Sequence, residues 1–172
     1  MLPTAPLLVP TSLETERLLL RLPEEKDLPG MTAFVQDPLS MRFFGGVQGA
    51  YGSWQFLVGA LGHWQIRGFG FYSVIDKESG AWIGRIGFIR PVTWPALELA
   101  WGLLSPYWGK GYAPEAALAI RAHRPAGERL VSCIDPENLA SRRVAEKLGC
   151  VEAEETLLFH EYPARVWEHP PA

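Results

Sequence analysis

The stretch that decides the fold is LELAWGLLSPYWGKGYAPEAALAI, residues 97–120. Its apolar first part predicts a strand over 97–104, and its alanine-rich last part predicts a helix over 113–123. Between them lies SPYWGKGY, a turn in which two glycines flank a lysine. A strand that passes into a helix through glycines leaves backbone N–H groups unpaired at the positive end of the helix dipole. Such a turn either binds phosphate or is only a tight turn.

Two common phosphate-binding motifs do not fit this turn. A Walker loop needs a glycine where the chain has Leu104, and a hydroxyl residue where it has Gly111. A dinucleotide-binding fingerprint needs a third glycine where the chain has Pro114, and no mononucleotide-binding unit precedes it. If the turn binds phosphate, it belongs to a third class.

Outward from this stretch, strand and helix patterns alternate. Strands are predicted at 16–23, 71–76, 82–90, 130–134, 150–160 and 165–167. Helices are predicted at 24–37, where Pro29 and Gly30 interrupt the pattern, at 54–66 after a capping Ser53, and at 138–148 before Gly149. This order predicts a mixed α/β domain around one central sheet.

Composition narrows the class of protein. The chain has 172 residues, 48% of them hydrophobic and 20% charged, as expected for one globular domain. We expect an N-terminal arm over 1–13, which contains three prolines, and a single domain over 14–172. The 17 glycines and 15 prolines exclude a coiled coil.

Several partners and locations are not expected. A net charge of −3 does not favour a basic face for nucleic acid. No apolar run reaches the length of a membrane span, and the histidines do not stand at metal-ligand spacing. Cys133 and Cys150 do not make a disulfide framework. A cytoplasmic protein without a metal, a membrane or a nucleic-acid partner is therefore expected.

Three stretches resemble the GNAT superfamily of N-acetyltransferases, especially its RimJ/RimL branch. YWGKGYAPEA (107–116) resembles the acyl-CoA pyrophosphate loop, ENLASRRVAEKLGC (137–150) resembles the superfamily's asparagine-containing helix, and ETERLLLRLPEEKDL (14–28) is similar to the branch's opening strand. The resemblance covers roughly residues 14–168. Three positions depart from the pattern: Trp108 replaces a leading Gln or Arg, Ala145 replaces a tyrosine, and Cys150 replaces an aromatic residue.

The resemblance implies a fold and a cosubstrate. The fold is a single GNAT-like domain with a central, twisted, mostly antiparallel sheet of about six or seven strands and about four flanking helices. The cosubstrate is acetyl-CoA. Its pyrophosphate would be bound by backbone N–H groups of Trp108, Gly109, Lys110, Gly111, Tyr112 and Ala113, and its pantetheine arm by Leu103, Leu104 and Asn138.

The resemblance also implies two catalytic roles, and the pattern of the strand suggests a third. The Leu103 N–H would polarise the acetyl carbonyl, and Ser141 would act as general acid or as a hydrogen-bond donor to the thiolate. Glu98 shares a strand face with Ala100 and Gly102, whose small size leaves room for a ligand, so it is a candidate base for the amine. The alternatives are a salt bridge for Glu98, a solvated Lys110, a helix cap for Asn138, and an ordinary first-turn residue for Ser141.

The acceptor side is expected between residues 31 and 67. Phe34, Phe43, Phe44 and Trp54 are candidates for a substrate pocket, and aromatic residues at this spacing also suit a core. The implied function is direct acetyl transfer from CoA to a primary amine, either a protein N-terminus or a small molecule, by a monomer or a homodimer. The alternative is a module of the same fold that binds acyl-CoA without turnover.

Overall fold

The computed structural model describes residues 5–171, which fold around one sheet of eight strands. The strands are β1 (Ser12–Glu14), β2 (Leu18–Arg21), β3 (Phe71–Asp76), β4 (Trp82–Ile89), β5 (Leu97–Leu103), β6 (Leu130–Ile134), β7 (Val151–Leu158) and β8 (Tyr162–Glu168). Their order is β1-β2-β3-β4-β5-β6-β8-β7. Within this sheet, β5 and β6 are the only parallel neighbours.

Four α-helices flank the sheet within the described residues: α1 (Leu28–Gln36), α2 (Ala50–Arg67), α3 (Tyr112–Arg121) and α4 (Leu139–Lys147). The predicted mixed α/β domain is therefore confirmed, with slightly more strands than expected. Among residues 5–171, no helix combines the length and the apolar character needed to cross a membrane.

The first hairpin differs from the single strand predicted over 16–23. The Thr15 N–H donates to the Leu18 carbonyl at 2.9 Å, and the Thr15 hydroxyl oxygen accepts the Leu18 N–H at 3.0 Å. These bonds close a tight turn, so β1 begins inside the predicted arm, at Ser12, and pairs with β2. The Tyr72 hydroxyl donates to the Pro10 carbonyl in the same arm. Residues 1–4 of the arm lie outside the described residues.

Two helix predictions need correction. Pro29 lies in the first turn of α1, where a missing N–H costs no hydrogen bond, so it does not break the helix. The cap of α2 is Gly49, and the prediction of Ser53 as cap is wrong. Ser53 lies inside the first turn, where its hydroxyl donates to the Ala50 carbonyl at 2.7 Å.

A gap between β5 and β6 positions the site. The two strands are paired only at Leu97–Leu130 and Glu98–Val131. Beyond this point hydrogen bonds that involve side chains take the place of backbone hydrogen bonds between the two strands. The Ser132 hydroxyl donates to the Leu99 carbonyl at 2.6 Å, and the Cys133 N–H donates to Glu98 Oε1 at 3.0 Å. From there β5 stays paired with β4 and β6 with β8, so the strands separate.

Candidate active site

The glycine-rich turn joins β5 to α3 through two residues in the left-handed region. Gly109 has φ 75° and Gly111 has φ 81°, a conformation that favours glycine. Gly111 is the N-cap of α3, and no side chain caps the helix there. The N–H groups of the first turn therefore remain available at the positive end of the helix.

Two side chains hold this turn in place. The Trp108 indole N–H donates to the Leu103 carbonyl at 2.8 Å, which ties the turn back to the end of β5. Arg17 donates to the Lys110 carbonyl at 2.9 Å and forms an ion pair with Glu115 of α3 at 2.6 Å. The tryptophan that departs from the superfamily's motif thus anchors the loop.

The turn borders a cavity of about 510 Å³, here called the loop cavity. Its lining includes five turn residues that the sequence predicted (Trp108, Gly109, Gly111, Tyr112, Ala113), with Leu103, Asn138 and Ser141, and also Arg42, Arg143 and Lys147. Lys110 is not part of the lining, and its Nζ lies 5.2 Å from the Tyr107 ring centroid. The predicted donor Trp108 is an exception, because its N–H donates to the Ser105 carbonyl at 3.1 Å. The cavity thus combines the remaining backbone donors of the turn with three cationic side chains, a set that suits phosphate groups.

Leu103 and Leu104 direct their backbone groups to opposite sides. The Leu104 N–H donates to the Ile83 carbonyl of β4 at 2.9 Å. Because backbone groups alternate along a strand, the Leu103 N–H points away from β4, toward the gap beside β5. Leu104 lines neither this cavity nor the one described next. Of the two predicted residues, Leu103 is the one whose N–H faces the gap.

A second cavity of about 670 Å³, the sheet cavity, lies over β4 and β5. Glu98 lines it and is 5% exposed. Burial raises the pKa of Glu98 to about 7, against the opposing effects of hydrogen bonds from Trp94 and Cys133 and the charge of Arg85. Such a carboxylate is suited to take a proton near neutral pH. None of the ion pairs among residues 5–171 involves Glu98, so the salt bridge considered from the sequence does not form.

The two cavities meet at a junction lined by Phe43, Phe44, Trp101, Asn138 and Ser141. The Trp101 indole N–H donates to Ser141 Oγ at 3.2 Å. An indole only donates, so Ser141 must be the acceptor and keeps its own hydroxyl hydrogen. This hydrogen is available for a group placed at the junction.

The predicted pocket aromatics separate into two groups. Phe43 and Phe44 line both cavities. Phe34 is fully buried on the same face of the sheet as Phe44, where a side chain on Gly102 would meet its ring at 3.0 Å. Trp54 is 48% exposed on α2 and lines neither cavity. Phe34 therefore packs as core against Phe44 and lines neither cavity, and Trp54 faces outward.

Sequence reasoning did not single out Arg85, which lines the sheet cavity together with Glu98. The surrounding IGRIG gives no sign that an arginine points inward, and only the strand register reveals it: Arg85 lies opposite Gly102 on β5. Trp101, which by strand alternation lies on the opposite face of β5 from Glu98, was not singled out either. Among residues 5–171, no three His, Cys, Asp or Glu side chains are arranged to hold a metal ion.

The fold matches solved structures of acetyltransferases. An acetyltransferase from Agrobacterium tumefaciens has a TM-score of 0.81 and 31% identity, with 93% of this chain and 94% of that chain covered. A RimL alpha-N-protein acetyltransferase, solved in complex with coenzyme A, has a TM-score of 0.71 and 18% identity over 94% and 96% of the two chains, and shows the shared fold alone. The protein therefore belongs to the class of acetyltransferases.

Sequence comparison gives the family. The acetyltransferase (GNAT) domain matches residues 17–151. The uncharacterized protein YkkB of Bacillus subtilis is 29% identical over 151 residues, which cover 81% of this chain and 84% of that protein. The chain belongs to the GNAT family and is an N-acetyltransferase, as the sequence motifs predicted.

Proposed function

We propose that the protein transfers the acetyl group of acetyl-CoA directly to a primary amine. The observation that supports this most is that the loop cavity and the sheet cavity meet at Trp101, Asn138 and Ser141. One cavity offers donors for phosphate, and the other offers a carboxylate with a pKa near neutral. Two cavities that share a junction can hold two molecules next to each other, and this arrangement suits transfer of a group from one to the other.

The residues of the loop cavity fit coenzyme A. The positive φ of Gly109 and Gly111 leaves the turn without side chains that would cover its N–H groups. Arg143 and Lys147 would face the phosphates from α4. The bound cosubstrate supplies an activated thioester; the residues of this chain supply binding, orientation and proton transfer.

The proton transfers can be assigned to named groups. Glu98 would take a proton from the ammonium group of the acceptor, directly or through water, so that the neutral amine attacks the acetyl carbonyl. The Leu103 N–H would donate to the carbonyl oxygen as negative charge develops there. Ser141 would donate its hydroxyl hydrogen to the leaving sulfur. A C–N bond forms and a C–S bond breaks.

Neither cysteine suits a covalent route. Cys133 lines the sheet cavity, but burial raises the pKa of its thiol well above the usual range, and the nearby Glu98 charge adds to this. Burial also raises the pKa of Cys150 to about 11. Because the thiolate is the nucleophilic form, neither residue is activated at neutral pH. This supports direct transfer over an acetylated enzyme.

An acceptor screen with detection of free thiol tests the proposal. We expect thiol release from acetyl-CoA that depends on at least one member of a panel of small amines and peptides with free N-termini. Calorimetric binding of CoA with no transfer across the panel would instead favour the non-catalytic binding module. If acetyl-CoA at 100 times its expected Kd fails to add about 2.7 kcal/mol to stability, the glycine turn is only a turn.

A further inference from the structure

Arg85 is held between aromatic rings without an anionic partner. Its guanidinium carbon lies 3.6 Å from the Phe56 ring centroid, 4.3 Å from that of Phe71 and 5.6 Å from that of Phe44. Among residues 5–171, no acceptor forms a hydrogen bond or an ion pair with this guanidinium. Burial lowers the pKa of Arg85 to about 9, and the charge of Glu98 only partly opposes this effect.

The stacking leaves the binding edge of the guanidinium open. Aromatic rings cover the faces of the group, whereas its five N–H donors lie in its plane. These donors match a carboxylate or a phosphate in a two-bonded arrangement. Arg85 is partly rather than fully buried, so these donors are open to the cavity, where an anionic ligand would supply hydrogen-bond partners.

The floor between Arg85 and Glu98 consists of small residues. Arg85 lies opposite Gly102, and Glu98 lies opposite Ile89, so the two charged residues share a sheet face. Between them on this face lies the Gly87–Ala100 pair. The positions are four residues apart along the strand, a distance of about 13 Å between backbones. Both side chains line the same cavity.

We propose that the acceptor is a small amine that also carries an anionic group, such as an amino acid or an aminophosphonate, and that Arg85 binds this group. This inference rests on the proposed function, because it names the substrate class of the same site. The ammonium group faces Glu98 and the junction, and the anion faces Arg85. The sheet cavity, at about 670 Å³, has the size of a small-molecule site. The RimJ/RimL resemblance favours a peptide N-terminus as the acceptor, and the experiment below distinguishes that acceptor from a small anionic amine.

Matched acceptor pairs test the inference. Each pair consists of a carboxylate- or phosphonate-bearing amine and its neutral amide or ester. For the wild-type protein we expect kcat/KM to be about 10- to 100-fold higher for the anionic member, since hydrogen bonds to charged groups are worth about 1.5–3 kcal/mol. Arg85→Met should abolish this preference while leaving the KM for acetyl-CoA unchanged.

Arg90→Met is the matched control. Arg90 follows β4, forms an ion pair with Glu128 at 2.8 Å, and lines neither cavity. This variant should keep the preference for anionic acceptors. If Arg85→Met does not fold, Arg85→Lys, which keeps the charge but loses the planar fork, should reduce the preference.

Three results would overturn the inference. They are equal rates for both members of each pair in the wild type, an equal loss for both members in Arg85→Met, or turnover of peptides alone. If no amine is acetylated, the proposed function fails. Calorimetric binding of the anionic compounds, and its loss in Arg85→Met, still tests the arginine site separately.

Discussion

Asn138 shows that a structural and a functional role can belong to one residue. Its side-chain oxygen accepts the Ser141 N–H at 3.0 Å and caps α4, as the structural alternative predicted. The same residue lines both cavities. Because the cap uses only the amide oxygen, the NH₂ group remains free to donate to a ligand. The sequence reading of Asn138 as a cap is confirmed, and its reading as a pantetheine contact stays a prediction.

Glu98 gives the first prediction at this scale. With a pKa of about 7, its carboxyl group is ionised above neutral pH, so the rate of transfer in the wild type should rise with pH and level off above about pH 8. Glu98→Gln should lower kcat/KM at pH 8 by about 10²- to 10⁴-fold and remove this rise. A pH–rate profile measures both. Undiminished turnover of the variant across pH would exclude the base role.

A stability measurement controls for misfolding of Glu98→Gln. The folded-state pKa of Glu98 lies above its ordinary value of 4.5, so the folded protein binds this proton more tightly than the unfolded chain does. Stability associated with this residue is therefore present at low pH and is lost as pH rises from about 4.5 to 7. Above pH 7, Glu98→Gln should be at least as stable as the wild type in denaturant unfolding.

Ser141 gives the second prediction. Since the Trp101 indole occupies its oxygen, the hydroxyl hydrogen is the part available to the leaving sulfur. Ser141→Ala should lower kcat about 10- to 100-fold, because a hydrogen bond to a charged group is worth about 1.5–3 kcal/mol. The KM for acetyl-CoA should change little. Trp101→Phe, which frees the hydroxyl to rotate, should give a smaller loss; an unchanged kcat in Ser141→Ala would leave the serine with a structural role only.

Among the elements, the strands of the hairpin β3–β4 and the helix α4 could be predicted closely because their patterns are local. The prediction failed where a tertiary contact sets the boundary. Thr15 closes a turn that creates β1, and Gly49 starts α2 ahead of Ser53. The gap beside β5 could not be predicted from the sequence either, because it involves a hydrogen bond from the Ser132 hydroxyl to a carbonyl 33 residues away.

The turn before α3 gives the prediction at the scale of an element. Gly109 and Gly127 both have positive φ, 75° and 77°, and at both a Cβ would have no atom within 4 Å. Alanine at either position should therefore cost about 1–2 kcal/mol of stability through backbone strain. Only Gly109 lines the loop cavity, so only Gly109→Ala should also raise the Kd for CoA, by about 10-fold. Calorimetry and denaturant unfolding separate the two effects, and equal CoA affinities in both variants would contradict the phosphate role.

At the scale of the whole molecule, charge is distributed unevenly. The formal net charge is −3, yet Arg42, Arg143 and Lys147 line the loop cavity. The net charge gives no reason to expect a broad basic face, but it says nothing about a local site. The same limit applies to Arg85, since its inward direction depends on the assembled sheet. The motif residues of the turn could be predicted from the sequence; the charged residues around them could not.

Two adjacent arginines of α4 provide a test of whether the positive charge at the loop cavity binds phosphate. Arg143 lines the loop cavity, whereas Arg142 lies 3.7 Å from Glu152 in an ion pair and lines neither cavity. Arg143→Gln should raise the Kd for CoA about 3- to 5-fold, the effect of one partly exposed charge. The difference in Kd between Arg143→Gln and the wild type should become smaller at high salt, because salt screens exposed charges. Arg142→Gln should leave the Kd unchanged, and equal effects of the two variants would argue against a specific phosphate contact.

The hairpin of β7 and β8 closes one side of the sheet cavity at its tip. Phe159 and His160 turn the chain with φ 51° and 61°, and the Phe159 ring meets that of Trp94 edge-on at 4.7 Å between centroids. The residues that match the family end at 151, before this tip. Under the proposed function, a substitution at this tip would therefore change the acceptor side of the site and leave the loop cavity, on which the glycine turn lies, unaltered.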